Sequence, residues 1–266
     1  VTLTVSAADV DLAMAEGSAL LGPGCREREV GDGRVALDFW CPPPRVPPPD
    51  AFRVHLGAAG VAADVETALE GDEWRDAMRA FHRPVEIVGR LRVRPPWEPP
   101  RQGLLDVVVD PGMAFGTGQH TTTRGCIELL AGVEPGPLVD VGCGTGIIAI
   151  AARRLGHDPV WALDSDPLAV EATIANARAN GVGLRVARRT LGRDRVPAAP
   201  TVVANLTATL LVLLARELVE LPPTTAIVSG IRPSEVPSAL AAFAPLGLRE
   251  AARVGDDEWA ALMLTG

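Results

Sequence analysis

The chain reads as an α/β protein with a largely parallel sheet, preceded by a smaller α+β domain. Three observations predict this. Leu138-Val-Asp-Val141 is a short apolar run that enters the turn Gly142-Cys-Gly144-Thr-Gly146 and then a helical stretch. Trp161-Ala-Leu-Asp164 is a second apolar run ending in a carboxylate, about 20 residues past the first glycine, where a parallel βαβ unit delivers an acid to ribose hydroxyls. From Leu104 onward strand-like and helix-like segments alternate, which implies parallel strands with helices on both faces.

The first domain is expected over residues 1–70. Val1–Ser6 alternates as a strand, and Ala8–Leu21 carries apolar residues at helical spacing. Cys25–Val30 and Arg34–Cys41 read as two strands joined at Gly31-Asp32-Gly33, a hairpin-type turn. Pro42–Pro49 is a stiff connection, Asp50 is a candidate cap for a helix to about Ala59, and Ala62–Leu69 is a candidate fourth strand. The order βαββαβ predicts a ferredoxin-like domain. Residues 71–103 read as a linker helix with Trp74 and Met78 on one face, a strand-like stretch Pro84–Pro95, and the irregular run Pro95-Pro-Trp97-Glu-Pro-Pro100.

The second domain is expected over residues 104–266. Leu104–Val109 is a β-branched run and Thr122–Leu130 a helix. Leu138–Val141, Val160–Leu163, Leu184–Arg188, Val202–Ala204 and Ala226–Ser229 are short strands between helical stretches. Asp166-Pro167 makes a helix start and Asn180-Gly181 a helix stop. Leu248–Val254 and Trp259–Leu264 close the chain as a hairpin around Gly255-Asp256-Asp257, adding an antiparallel strand.

Composition narrows the function classes. With 266 residues the chain has ample length for one large or two modest cores. A net charge of −8 argues against nonspecific binding to nucleic acid. No apolar run is long enough to span a bilayer and no signal peptide is visible, so a cytoplasmic location without membrane attachment is expected. The four cysteines lack paired CxxC spacing, which predicts neither a metal site nor a disulfide framework. Every Lys/Arg position is arginine, so an enzyme that methylates lysine could not modify its own side chains.

The glycine turn discriminates among nucleoside ligands. Dinucleotide sites read GxGxxG and rest a pyrophosphate on a helix N-terminus. Here the pattern is GxGxG with Asp140 immediately upstream, and a carboxylate so placed suits a cationic or amine-bearing ligand. S-adenosylmethionine carries a sulfonium and an ammonium and no phosphate. NAD or FAD, or a glycine turn serving packing alone, are the competing readings. A second motif, Asp110-Pro-Gly-Met-Ala-Phe115-Gly116-Thr117-Gly-Gln-His120-Thr-Thr-Thr123, offers permissive backbone, an aromatic face at Phe115 and hydroxyls at Thr117 and Thr121–Thr123. It is suited either to folding over a bound adenosine or methionine moiety or to joining two domains.

With these motifs the sequence resembles the bacterial methyltransferase family that modifies a large-subunit ribosomal protein (the PrmA type, acting on ribosomal protein number eleven). Trp74, the Pro95-Pro-Trp97 turn, the 110–123 segment, the glycine turn, Asp164, Val203-Ala-Asn-Leu206, Ser229-Gly-Ile231 and Glu258-Trp259 carry the resemblance. Met78 departs from it, standing where the family often has a second tryptophan. The resemblance implies a Rossmann-like class I methyltransferase domain with a mostly parallel seven-stranded sheet and an N-terminal substrate-recognition domain. It further implies a monomer that needs no direct nucleic-acid contact. Its expected activity is methyl transfer from S-adenosylmethionine to lysine, and to N-terminal, amines of the ribosomal protein. Thr123, Gly142, Asp164 and Asn205 align with the family's cofactor contacts, and Phe115, Gly116, Thr117, Asp140 and Gly144 complete the candidate cofactor site.

Asn205 is the candidate catalytic residue. It ends the strand Thr201–Ala204 at the edge where parallel sheets bind ligands, and its side-chain carbonyl could take a hydrogen bond from an amine and aim the lone pair. The alternative is a cap on the helix beginning near Thr207. His120 is read as orienting its loop in preference to acting as a base. Two other readings stay open: a methyltransferase of another protein lysine or a small amine, and a noncatalytic ribosome assembly factor with the same fold.

Overall fold

The computed structural model describes residues 1–21, 25–39, 48–67, 83–110, 118 and 120–266. The chain divides into two compact units, Val1–Ala77 and Met78–Gly266.

In the first unit the strands are β1 (Thr2–Ser6), β2 (Cys25–Gly31), β3 (Arg34–Phe39) and β4 (Asp64–Glu66), with helices α1 (Val10–Leu21) and α2 (Pro49–Ala58). Every strand pair is antiparallel and the sheet order is β2-β3-β1-β4, the ferredoxin-like arrangement predicted from the element order. The β2–β3 turn forms because Asp32 and Gly33 both take positive φ (52° and 69°), the Asp-Gly geometry whose twist matches a hairpin. Leu3, Val5, Leu37, Phe39, Phe52 and Leu56 bury one face of this sheet against the helices. Gly17 is required on α1, since a Cβ there would lie 2.4 Å from the Phe39 ring. One cap differs from expectation. Pro48 stands at the N-cap of α2, and Asp50 sits inside the first turn, bonded to Arg53 (2.9 Å).

In the second unit β5 (Val85–Ile87), β6 (Leu91–Arg94) and β7 (Leu105–Val108) form a three-stranded sheet. The strand-like stretch 84–95 is therefore a hairpin, turned at Val88 and Gly89, both at positive φ. The proline run that follows is irregular, as proline demands, but it is tied down. Arg92 donates to the Pro99 carbonyl (2.7 Å) and Arg94 to that of Glu98 (2.6 Å). Arg94 also pairs with Asp106 of β7 (3.0 Å). The segment 111–117, which holds Phe115, Gly116 and Thr117, and the stretch read from the sequence as a helix with Trp74 and Met78 lie outside the described residues.

The main sheet comprises β8 (Leu138–Val141), β9 (Val160–Asp164), β10 (Arg185–Arg188), β11 (Thr201–Asn205), β12 (Thr225–Ile231), β13 (Arg249–Gly255) and β14 (Ala260–Thr265). Its order is β10-β9-β8-β11-β12-β14-β13. All pairs are parallel except those of β14, which lies antiparallel between β12 and β13, the contribution expected of the closing hairpin. Interleaved are α3 (Thr121–Leu130), α4 (Ile147–Arg154), α5 (Pro167–Ala179), α6 (Ala208–Glu217) and α7 (Val236–Phe243). The central strands are mostly apolar on both faces because both are covered, while the edge strands β10 and β13 carry exposed charges. Leu138, Val203 and Ile227 belong to one core with α3 and α4, while Val139, Val202, Ala204, Ala226 and Val228 belong to another with α6 and α7. Among the described residues no helix is long and apolar enough to cross a membrane.

Strand order reverses between β8 and β11: β9 and β10 are added on the far side of β8, and β12 on the far side of β11. A crevice forms at such a point because the two following connections diverge to opposite faces. The glycine turn follows β8 and Asn205 ends β11, so the fold brings both candidate motifs to one edge.

Candidate functional site

The turn after β8 is built by backbone conformations that side chains resist. Gly142, Gly144 and Gly146 have φ of +76°, +55° and +79°. Space adds a second constraint at Gly142, where a Cβ would lie 2.4 Å from Leu206 Cδ2. The turn is anchored from β9: the Gly142 and Cys143 amides donate to the Leu163 carbonyl (2.8 and 3.0 Å). It is held from behind by α5, where Thr173 donates to the Gly144 carbonyl (2.9 Å) and Asn176 to that of Thr145 (2.9 Å). Cys143 is buried against the Thr173 hydroxyl, and burial pushes its thiol up, which keeps it a thiol.

The two acids hold different positions. Asp164 ends β9 half-buried; its Oδ2 accepts from the Gly144 amide (2.9 Å) and its Oδ1 from the Asp166 amide (3.0 Å). Asp166 is a helix cap as predicted, accepting from the Leu168 amide (2.9 Å) with Pro167 behind it. Asp140 is fully buried and turned toward α4, where its Oδ2 accepts from the Ala149 amide (3.1 Å). Its Oδ1 has no hydrogen-bond partner among the described residues. Burial, partly opposed by the Ala149 bond and reinforced by the Asp164 charge, pushes the Asp140 carboxyl up to about 7.

Asn205 closes the site from the other side of the crevice. It is not the cap of α6, whose N-cap is Thr207. Its Nδ2 donates to Thr122 Oγ1 (3.1 Å) and to Thr123 Oγ1 (3.3 Å), both buried on the first turn of α3. His120 is the N-cap of α3; its Nδ1 accepts from the Thr122 amide and lies 2.8 Å from the Thr122 hydroxyl. The closing hairpin braces the same turn. Trp259 meets the His120 ring edge-on with centroids 5.1 Å apart, and Thr121 donates to Asp256 Oδ2 (2.7 Å).

Of the residues singled out in the sequence, Asp140, Gly142, Gly144, Asp164, Thr123 and Asn205 thus gather at the edge where β8, β9 and β11 end, while Phe115, Gly116 and Thr117 lie outside the described residues. Residue-by-residue reading underrated Thr122 and missed Asp256 and Trp259 as neighbours of this site. Thr122 carried a local signal, since it is two residues past an N-cap. The hairpin's approach depends on β14 inserting between β12 and β13, which no local pattern records.

The arrangement fits a nucleoside with a cationic tail. Asp164 keeps lone pairs beyond its two backbone bonds, at the position that reaches a ribose. Asp140 places a carboxyl beneath the loop, with one oxygen unpartnered among the described residues. The N-terminus of α4, capped by Gly146, already meets a carboxyl, since Asp140 accepts from the Ala149 amide in its first turn, and this disfavours a phosphate there.

Residues 53–265 match the family described as ribosomal protein L11 methyltransferase (PrmA). The chain is 38% identical over 214 residues to the ribosomal protein L11 methyltransferase of Geobacter sp. (strain M21), spanning 76% of this chain and 69% of that one. It is 40% identical over 199 residues to the same enzyme of Klebsiella pneumoniae (strain 342), spanning 72% and 67%. Among solved structures it is similar to a ribosomal protein L11 methylase from Lactobacillus delbrueckii subsp. bulgaricus, with TM-score 0.62 and 28% identity, covering 68% of this chain and 97% of that chain. A tRNA (uracil-54, C5)-methyltransferase of Pyrococcus abyssi shares the fold at TM-score 0.51 and 18% identity, over 62% of this chain and 43% of that one.

Proposed function

The chain belongs to the ribosomal protein L11 methyltransferase (PrmA) family, and on that premise we propose that it transfers methyl groups from S-adenosylmethionine to lysine, and to N-terminal, amines of the large-subunit ribosomal protein. The observation that carries this reading is the meeting, at one sheet edge, of an acid-flanked glycine turn with an asparagine whose amide is already oriented. The N-terminal ferredoxin-like domain is assigned to substrate recognition, the methyltransferase domain to cofactor and chemistry, and the enzyme acts as a monomer in the cytoplasm.

Asp164, Gly142, Gly144 and Thr123 would hold the nucleoside, with Phe115, Gly116 and Thr117 as the covering segment, and Asp140 would give up its proton beside the cationic tail and so balance its charge. When bound, the cofactor supplies a methyl group on a sulfonium, a good leaving group for in-line displacement. The protein's task is position and a proton. A lysine amine has an ordinary pKa near ~10.4, so well under ~1% is nucleophilic at neutral pH. A site that desolvates the amine beside positive charge favours its neutral form. Asn205 then acts through its oxygen. With Nδ2 committed to Thr122 and Thr123, Oδ1 is the side-chain atom left to meet a substrate donor. It is the group suited to accept one N–H of the neutral amine and direct the lone pair at the methyl carbon.

Mass spectrometry of the purified ribosomal protein after incubation with enzyme and labelled cofactor tests the assignment. Added mass in steps of one methyl group, lost when Asn205→Ala replaces the wild type while cofactor binding persists, is the expected result. Label on a different protein or a metabolite would reject the substrate, and binding without any transfer would leave only a noncatalytic assembly role.

A further inference from the structure

We propose that Thr122 and His120 are positioning residues that set the direction of the Asn205 amide, so that its oxygen and not its nitrogen faces the amine. The inference rests on the methyltransferase reading for its consequence but on geometry for its premise. His120 Nδ1 accepts the Thr122 backbone N–H, as an N-cap must, so the ring proton resides on Nε2. The Thr122 hydroxyl, 2.8 Å from that same Nδ1, is then the donor of the pair. A hydroxyl has one hydrogen, and once it is given to His120 only its lone pairs are left for Asn205. The side-chain atom of Asn205 that faces Thr122 at 3.1 Å must therefore be the NH₂. Hydrogen-bond polarity runs one way, from Asn205 through Thr122 to His120.

The histidine's own orientation is braced by the closing hairpin. Trp259 packs on its ring, and Asp256 holds the neighbouring Thr121 hydroxyl while accepting from the Glu258 and Trp259 amides (2.9 and 2.8 Å). Residues separated by more than a hundred positions thus converge on one amide rotation. A reversed amide would present two N–H donors to the substrate amine and compete for the lone pair it should aim.

Thr122→Val is nearly isosteric and removes only the hydroxyl; Thr122→Ser restores it. Thr122→Val is expected to lower kcat by about tenfold or more with KM for the cofactor within about twofold, and Thr122→Ser to recover most of the loss. His120→Asn, which keeps an acceptor and a capping group, should stay closer to wild type than His120→Ala. Nitrogen-15 NMR supplies a readout independent of turnover: the His120 ring should show the Nε2-protonated form, and the Asn205 side-chain amide protons should exchange faster in Thr122→Val. Equal losses in the serine and valine variants, unchanged kcat in Thr122→Val, or a ring proton on Nδ1 would overturn the proposal. A wild-type enzyme that methylates nothing would instead overturn the functional reading, while the ring tautomer and amide exchange would still decide the hydrogen-bond polarity.

Discussion

Asp164 and Gly144 are joined by a hydrogen bond of 2.9 Å across 20 residues of sequence, so the acid that ends β9 also shapes the glycine turn that follows β8. The same carboxylate holds the Asp166 amide. Asp164→Ala leaves both donors without this acceptor and is expected to cost about 1–3 kcal/mol of stability and at least about tenfold in S-adenosylmethionine affinity. Asp166→Ala removes only a helix cap, at about 1 kcal/mol, with affinity nearly unchanged. Calorimetric titration and urea unfolding of both variants check the contrast; equal affinity losses would refute it.

Gly142 and Gly230 both abut Leu206, but on different atoms. A Cβ at Gly142 would strike the Leu206 side chain (2.4 Å), and one at Gly230 its backbone oxygen (2.5 Å). Each alanine variant also incurs about 1–2 kcal/mol for the left-handed backbone. Adding Leu206→Ala should partly rescue Gly142→Ala, because the clashing methyl is gone, and should not rescue Gly230→Ala. A double-mutant cycle on thermal unfolding measures the difference.

Asp140 makes stability depend on pH. Its carboxyl is raised from 3.8 to about 7, chiefly by burial, so between those values the folded protein retains a proton that the unfolded chain releases. The folded state binds more protons in that window, and stability accordingly falls as pH rises through it. Asp140→Asn should flatten this part of the curve. Urea midpoints measured from pH 4 to 8 provide the test, and parallel curves for the two proteins would remove Asp140 as the cause.

Asn180 does the work of a neighbouring strand. Its side chain accepts from the Val108 amide (2.8 Å) and donates to the Val108 carbonyl (2.6 Å), closing the free edge of β7. Asn176 accepts from the Asp110 amide (3.2 Å) on the same edge. Asn180→Ala is expected to destabilise by about 1–3 kcal/mol, since partly buried backbone groups lose partners that water replaces only in part. Hydrogen exchange should quicken selectively at Val108; uniform acceleration across the sheet would point to global destabilisation.

Short-range chemistry made much of this protein legible. The Asp166-Pro167 start, the Asn180-Gly181 stop and the Asp32-Gly33 turn each involve neighbours within a few residues, and each formed where the sequence placed it. The stretch 84–95 was harder. Its turn rests on Val88 at φ +48°, a conformation β-branched residues rarely adopt, so no turn residue other than Gly89 announced the hairpin. Asp50 misled for a related reason: proline is favoured at the first helical turn, and Pro49 moved the helix start ahead of the acid.

The sequence by itself determined the class of fold, the positive-φ glycine turn, and the acid at the end of the next strand, because each follows from backbone sterics and a repeat of two or 3.6 residues. The tertiary structure alone decided that Asn205 meets Thr122 and Thr123 from 83 and 82 residues away, and that a turn near the C-terminus braces His120. Those meetings follow from the order in which strands enter the sheet, a global packing outcome that local propensity does not encode.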